Sequence, residues 1–320
     1  MILIMIKKSD FLSIVIPTYN AGRDLRRLLC QLRKQYHFAN AEIIVIDSSS
    51  TDGTPECAKS FNARVISISQ NEFNHGATRN LGIEECNGEL VCLFTQDALP
   101  VNDKYLFSLV ETLEREDAAG GFARQIPMNN ATPLVKRDVQ RWIAGSDQPR
   151  TMHIDSPNHF FSASPMERYL TCVFDNVSSI IRKEAWDKIP FPHAPFGEDV
   201  EWAYRALCNG YKLIYEPKAV VQHSHQRSAQ YTYKRTFVDH YRLNQLFGLR
   251  IIPSRRKALR SFMISSCKDW LYLAQNPQWD SDWLKSACSI PFHAWSSAWG
   301  QYNGAKAAAC GAPIYQSRDV

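Results

Sequence analysis

Val91-Cys-Leu-Phe-Thr-Gln-Asp97-Ala-Leu-Pro100 joins an apolar run directly to a carboxylate and a proline. Near-continuous apolar character marks a strand covered on both faces, as in the parallel sheets of α/β proteins, where ligands bind outside the carboxyl ends of the strands. Asp97 therefore either faces a ligand or only turns the chain before Pro100. In the first case one carboxylate could hold a hard divalent cation against a diphosphate. The neighbouring segments decide between the two.

Upstream, Leu12-Ser-Ile-Val-Ile16 is a β-branched run stopped by Pro17, with Thr18-Tyr-Asn20 as a polar tip. Between Gly22 and Gln35, Leu25, Leu28, Leu29 and Leu32 fall at helical spacing. Glu42-Ile-Ile-Val-Ile-Asp47 repeats the strand-to-acid pattern, and the following Ser- and Gly-containing loop up to Pro55 has helix-start chemistry. A third strand is expected over 64–68 and a helix over 78–85, its entrance carrying Asn74, His75, Gly76, Arg79 and Asn80. This alternation predicts an α/β fold, a mostly parallel sheet wound by right-handed crossovers and flanked by helices. No closely spaced glycines follow the first strand. Their lack argues against a nicotinamide-binding Rossmann domain and against a nucleotidyltransferase, which needs a triphosphate loop there.

Downstream, residues 120–165 are weakly periodic and rich in Gly, Pro and Asn, which predicts a mobile connection covering the site. Strand character resumes over 174–181, a short helix follows over 182–188, and Pro190 to Gly197 form a turn-rich approach to Glu198-Asp199. Val200, Ala203, Tyr204 and Leu207 are helically spaced, so Asp199 lies near a helix N-terminus, where backbone amides favour a carboxylate. Apolar segments over 212–215 and 219–221 lead to His223-Ser-His225. On a strand such a pair projects both rings to one face; in a loop each makes ordinary hydrogen bonds. From about residue 240 the chain turns aromatic, basic and helical in spacing, with Trp270, Trp279, Trp283, Trp295 and Trp299. Two parts are therefore expected, 1–240 as the α/β domain and 241–320 as a helical appendage. The tryptophans either pack helices or form sugar platforms.

At 320 residues, with 45% hydrophobic and 22% charged residues, the composition is that of an ordinary globular protein large enough for a full core. The net charge of +5 is concentrated between Arg227 and Lys268, a region suited to an anionic surface. Nine cysteines, odd in number, scattered and never in a CxxC pair, suggest reduced thiols in a cytoplasmic protein. The apolar run at Met1 to Ile6 is too short for a signal segment, so secretion is not expected, while attachment from the cytoplasmic side stays open.

The stretch Ser13 to Asn20, the stretch Ile44 to Thr54 and the Glu198-Asp199 helix, in that order, resemble family 2 glycosyltransferases of the Rossmann-like GT-A fold over residues 12–240. Asn74 to Asn80 and Phe94 to Pro100 resemble the bacterial rhamnosyltransferase subgroup. The resemblance implies that Pro17, Thr18 and Asn20 line a nucleotide pocket, with Gln96 among the donor-binding residues. It implies that Asp47 accepts a hydrogen bond from a pyrimidine imide, capping of the Ser-rich turn being the other reading. Asp52 either belongs to the pocket or only turns the chain. Arg79 corresponds to a phosphate-side arginine or is an exposed helix arginine. The family's Asp-x-Asp metal motif reads here Thr95-Gln96-Asp97, keeping the last acid only, and His223 could supply a second ligand to Mg2+ or Mn2+. Glu198-Asp199 resembles the catalytic pair in which the Asp is general base, and His75 is a candidate acceptor-site or phosphate contact. The implied activity is inverting transfer of a sugar, L-rhamnose from dTDP-L-rhamnose, to a saccharide or lipid-linked acceptor in bacterial surface polysaccharide synthesis. Membrane or self-association through the basic aromatic segment is expected, and nucleic acid is not expected as a partner. A nucleotide-sugar binding protein without turnover is the alternative.

Overall fold

The computed structural model describes residues 12–312. In chain order its elements begin with β1 (Leu12–Thr18), α1 (Gly22–Leu32), β2 (Glu42–Asp47), α2 (Thr54–Ser60), β3 (Arg64–Ser67) and α3 (His75–Glu84). Next come β4 (Leu90–Phe94), β5 (Leu99–Pro100), α4 (Tyr105–Arg115), β6 (Gly120–Ile126), α5 (Pro133–Arg141) and β7 (Arg150–Met152). They are followed by α6 (Pro157–Ser162), α7 (Pro165–Thr171), β8 (Ser178–Arg182), α8 (Lys183–Lys188), α9 (Glu198–Cys208) and β9 (Leu213–Gln222). Three long helices end the described residues: α10 (Ala229–Phe247), α11 (Arg255–Gln275) and α12 (Ser281–Ala309). The chain forms two compact units, each assembled from three stretches. The first takes residues up to 126, 142–157 and 172–223; the second takes 127–141, 158–171 and the residues from 224 onward.

The first unit holds a mixed sheet of order β3-β2-β1-β4-β8-β6-β9-β5, with β7 also paired to β9. Pairing is parallel from β3 through β4, antiparallel on both sides of β8, and parallel again between β6 and β9. Ile14 to Ile16, Ile43 to Ile46 and Val91 to Phe94 are all buried, because both faces of these strands are covered. One cover is α1, which buries Leu25, Leu28, Leu29 and Leu32 on the single face that their spacing marks out. Each fully buried leucine contributes roughly 2 kcal/mol relative to exposure.

Residues 120–165 correct an expectation. Instead of an unpaired connection, the segment opens with the seven-residue strand β6, paired on both edges inside the sheet, and continues through α5 and β7. Gly120 and Gly121 read as loop signals, but here they make room for neighbours. A Cβ at Gly120 would stand 2.9 Å from the Trp202 ring, and one at Gly121 would stand 2.5 Å from Ile214 Cγ1. The two apolar segments at 212–221 likewise prove to be one strand, β9, running through Pro217. Its register against β6 shifts between Ala123 and Arg124, as expected where a proline cannot donate to the ladder.

The second unit is helical. Residue 240 lies within α10, and α10 packs mainly along α12. Ser228, Ser254 and Asp280 cap α10, α11 and α12 by accepting from the amides of Tyr231, Lys257 and Trp283. Pro291 lies inside α12 and cannot donate back to the Ala287 carbonyl; the Trp270 indole donates there instead, at 3.1 Å. Trp283 is buried with Leu273 and Ile290, Trp279 stacks on it at 4.5 Å, and Trp295 packs against Phe262 and Trp299. The tryptophans thus knit the helices together. Arg137 of α5 joins them by pairing with Asp269 at 2.7 Å and lying over the Tyr272 ring. Among the described residues, no helix is long and apolar enough to cross a membrane.

Candidate active site

The carboxyl ends of β1, β2 and β4 lie side by side, because these strands are parallel neighbours. Their tips are tied by polar bonds. Thr18 Oγ1 donates to Asp47 Oδ1 at 3.0 Å, and Ser50 donates to the same carboxylate from Oγ (2.6 Å) and from its backbone amide (2.9 Å). Asn20 joins the second strand's loop: its amide donates to Ser50 Oγ, and its Oδ1 accepts from the Thr51 amide. Gln96 reaches back to β1, accepting from the Tyr19 amide at 2.8 Å and donating to the Tyr19 carbonyl at 3.2 Å. Pro17, Thr18, Asn20, Asp47 and Gln96 are thereby gathered at one sheet edge. Asp47 is buried and also accepts from the Ser50 amide of the Ser-rich turn. Asp52 accepts from the amide and hydroxyl of Thr54 in the turn that enters α2.

Asp97 stands in the turn after β4, and β5 explains where it goes. Leu99 and Pro100 pair antiparallel with Gln222 and Val221 of β9, which brings Asp97 beside His223 just past the end of that strand. Asp97 Oδ1 and His223 Nε2 are 3.7 Å apart. That separation exceeds a good hydrogen bond, yet a cation with bonds of roughly 2.1 Å to each atom spans it. The oxygen and imidazole donors suit Mn2+ or Mg2+. His223 Nδ1 faces Gln125 Oε1 at 3.1 Å, and its amide donates to the Ile126 carbonyl.

The acid pair opens α9. Gly197 precedes it at φ 71°, a left-handed conformation that glycine adopts freely, and so aims the chain into the helix. Three polar residues, the α3 cap Asn74 and Arg79 and Asn80 within the helix, hold this approach. Asn74 Nδ2 donates to the Ala194 carbonyl, and Asn80 binds both polar groups of the Phe191 backbone. Arg79 Nη1 donates to Glu198 Oε1 at 2.8 Å. The 74–80 segment is therefore a clamp on the acid loop. His75 lies within it, edge-on to Phe73 and Phe196.

Arg79 is not the exposed helix arginine of its alternative reading. Only 4% exposed, it pairs with the equally buried Glu198. Glu198 correspondingly sits below the usual carboxylate range: burial opposes its ionisation, but the Arg79 and His75 charges outweigh burial. Asp199 is the opposite case. Burial first, then the negative charges of Glu198 and Asp175, push its carboxyl up to about 8, against weaker help from the Val200 amide and Arg79. Two adjacent acids are thus driven apart, one held as a carboxylate counterion and the other made basic. Asn176 touches both, its amide donating to Asp199 Oδ2 at 3.3 Å and its side chain to Glu198 Oε1 at 3.4 Å.

Gln125, Asp175 and Asn176 went unnoticed in the sequence. Gln125 lay in a stretch read as loop, and the other two lay in one read as strand. Their only signal was Asp-Asn breaking an apolar run.

The description glycosyl transferase family 2 matches residues 13–183, more than half of the chain. The chain belongs to that family. The transferase is similar to the O-antigen chain rhamnosyltransferase WbaN of Salmonella anatum, 28% identical over 233 residues that make up 70% of each chain. It is similar to RfbN of Salmonella typhimurium at 28% over 232 residues, 71% of this chain and 70% of that one. Among solved structures it resembles the mannosyltransferase PcManGT from Pyrobaculum calidifontis in complex with GDP-Man and Mn2+. There the TM-score is 0.56 at 16% identity, covering 89% of this chain and 85% of the other. S. aureus TarS 1-349 with UDP-GlcNAc gives a TM-score of 0.50 at 14% identity, covering 94% and 92%. These likenesses carry the fold, and the transferase has the GT-A architecture expected from its motifs.

Proposed function

We propose that this transferase moves L-rhamnose, with inversion, from dTDP-L-rhamnose onto a saccharide or lipid-linked acceptor of a bacterial surface polysaccharide, at the cytoplasmic face of the membrane. Rhamnose and a polysaccharide-chain acceptor follow the names of the two O-antigen chain rhamnosyltransferase relatives. The observation that carries the chemistry is the split between Glu198 and Asp199. An acceptor hydroxyl is a poor nucleophile near neutral pH, and Asp199, made basic at the entrance of a rigidly held helix, takes its proton as the oxygen attacks the anomeric carbon. The bond to the diphosphate breaks on the opposite face, with oxocarbenium character in between. Glu198 and Arg79 keep Asp199 in place. Residues at the ends of β1 and β2, from Pro17 to Asn20 and at Asp47, form the floor for the nucleoside, and Gln96 pins the first of these loops. Asp97 and His223 would hold a divalent cation, which when bound neutralises the departing diphosphate.

The basic, aromatic helices of the second unit are assigned to an anionic membrane surface or to a second copy of the chain. Leu259, Met263 and Leu271 of α11 are about half exposed, among Arg255, Arg256, Arg260 and Lys268. The boundary between catalytic domain and appendage, expected near residue 240, is proposed to fall before α10, near residue 224.

Incubating the protein and Mn2+ with a panel of nucleoside-diphosphate sugars, with thermal stabilisation and then nucleoside-diphosphate release on adding acceptor as readouts, tests this reading. Stabilisation by dTDP-L-rhamnose with release upon acceptor addition is expected, and stabilisation by a different donor alone would overturn the rhamnosyl assignment. One observation favours a binding protein without turnover: Thr95 and Gln96 precede Asp97 where a second acid would strengthen metal binding. Stabilisation without any release would establish that reading.

A further inference from the structure

The bonds around His223 have a direction, and it is set by residues outside the metal and base positions. The donors to Asp175 include the Val177 amide at Oδ1 (2.9 Å) and Gln125 Nε2 at Oδ2 (2.6 Å). Two such donors favour the ionised carboxylate, which can only accept. Gln125 must therefore point its amide nitrogen at Asp175 and its oxygen at His223, where Oε1 meets Nδ1 at 3.1 Å. An amide oxygen accepts and cannot donate, so Nδ1 carries the hydrogen. In a neutral imidazole Nε2 then carries the lone pair, and this is the nitrogen that faces Asp97 Oδ1.

We propose that Gln125 and Asp175 are positioning residues that fix the Nδ1–H tautomer of His223 and so present its Nε2 as a ligand atom. This rests on the metal role given above to Asp97 and His223. The support is rigid as well as directional. Gln125 sits on β6 one residue before Ile126, whose carbonyl accepts the His223 amide at 3.0 Å, so ring and amide are held on the same strand pair. Partners of this kind orient histidine ligands in metal proteins, and their loss typically weakens metal binding about 10- to 100-fold.

The chain of donors and acceptors can be reversed and then restored. In Asp175→Asn the introduced oxygen keeps the Val177 amide, so the introduced NH2 faces Gln125. Gln125 must then turn its oxygen toward position 175 and its NH2 toward His223, which forces the hydrogen onto Nε2. Adding Gln125→Glu provides a carboxylate that accepts from both sides and returns the hydrogen to Nδ1, with the total charge of the pair unchanged. Two-bond 1H–15N spectra of metal-free protein labelled at histidine, recorded near pH 8, report the tautomer, with the His223 signals identified by their loss in His223→Gln. Titration with Mn2+ alone reports affinity.

The expected results are Nδ1–H in the wild type, Nε2–H with about 10- to 100-fold weaker Mn2+ binding in Asp175→Asn, and return of both properties in the double variant. A wild-type Nε2–H tautomer, an unchanged tautomer in Asp175→Asn, or a folded double variant that stays in the Nε2–H form would each overturn the proposal. Should Asp175→Asn fail to fold, the wild type and the double variant decide. If the tautomers change as described while all three proteins bind Mn2+ equally, the positioning role stands and the ligand role of His223 falls.

Discussion

Asp199→Asn should abolish transfer and, at the same time, stabilise the protein by an amount that grows with pH. The Asp199 carboxyl is pushed from 3.8 to about 8, chiefly by burial and then by Glu198 and Asp175. Because the folded value lies above the unfolded one, the folded protein retains a proton that the unfolded chain has released. Stability is therefore lost as pH rises from about 4, and the loss is complete above about 8. Some four units at about 1.4 kcal/mol each set a ceiling of about 6 kcal/mol. Asp199 is only half-buried, so water reaching it lowers this to on the order of 2–3 kcal/mol. An amide carries no charge at any pH. It forfeits one acceptor, for the 3.3 Å bond from the Asn176 amide, a loss of about 1 kcal/mol that does not vary with pH. At roughly 2–4 °C per kcal/mol, the variant's Tm advantage over wild type should widen by about 5–10 °C between pH 5 and pH 8.5 in scanning calorimetry. A difference that stays flat or shrinks as pH rises would refute the raised basicity, whatever happens to turnover.

The same basicity predicts a rising limb in log kcat/KM that levels near pH 8, since only the unprotonated Asp199 accepts the acceptor's proton; a profile flat from pH 6 to 9 would point to another base. Asp97→Ala should remove the Mn2+-dependent part of donor binding, and calorimetry showing equal wild-type donor affinity in Mn2+ and in chelator would remove the metal role itself. Arg79→Met leaves Glu198 as a buried unpaired charge and should cost about 3–5 kcal/mol in urea denaturation, with Glu198→Gln in the same chain recovering part of the loss. Independent, additive effects of the two substitutions would mean that the ion pair does not hold the acid loop. Sedimentation with anionic vesicles at low salt should pull down the protein, and high salt should release it; a monodisperse protein that ignores the vesicles leaves the helices to self-association or to packing alone.

Much of the first half of the sheet was legible because β1, β2 and β4 are covered on both faces and so appear as unbroken apolar runs ending in polar tips. The acid helix was legible for a different reason: Glu198 and Asp199 follow a turn-rich approach and precede a helical repeat. Strand β6 was hidden because its glycines serve the bulk of Trp202 and Ile214, residues far away in sequence. The two-residue β5 is too short to leave any periodicity, although it decides that Asp97 meets His223. Helix α3 begins at His75, with Asn74 as its cap, and not at Thr78, because Gly76 obscured the first turn. Burial of Arg79 could not be read from its neighbours in the chain, since its partner lies 119 residues on. Opposite shifts in two adjacent acids depend on that distant arginine, and composition carries no trace of them.

The interleaving of the two units bears on how the chain can be cut, copied or synthesised. The first unit's sheet is incomplete until β9 has been made, since β6 has β9 on one edge, and α5 must wait much longer for Asp269 and Tyr272. A nascent chain paused at residue 223 would own every strand of the described sheet while two of its inner segments, 127–141 and 158–171, still lacked the helices they belong with. Such a chain has no simple point of detachment: ending it there leaves Arg137 without its aspartate and aromatic partners, and grafting foreign helices after β9 would require rewriting two internal stretches as well. Helices α10 to α12 are therefore inherited together with residues 127–141 and 158–171, and recombination that treats them as an exchangeable cassette should leave those inner segments without their packing partners.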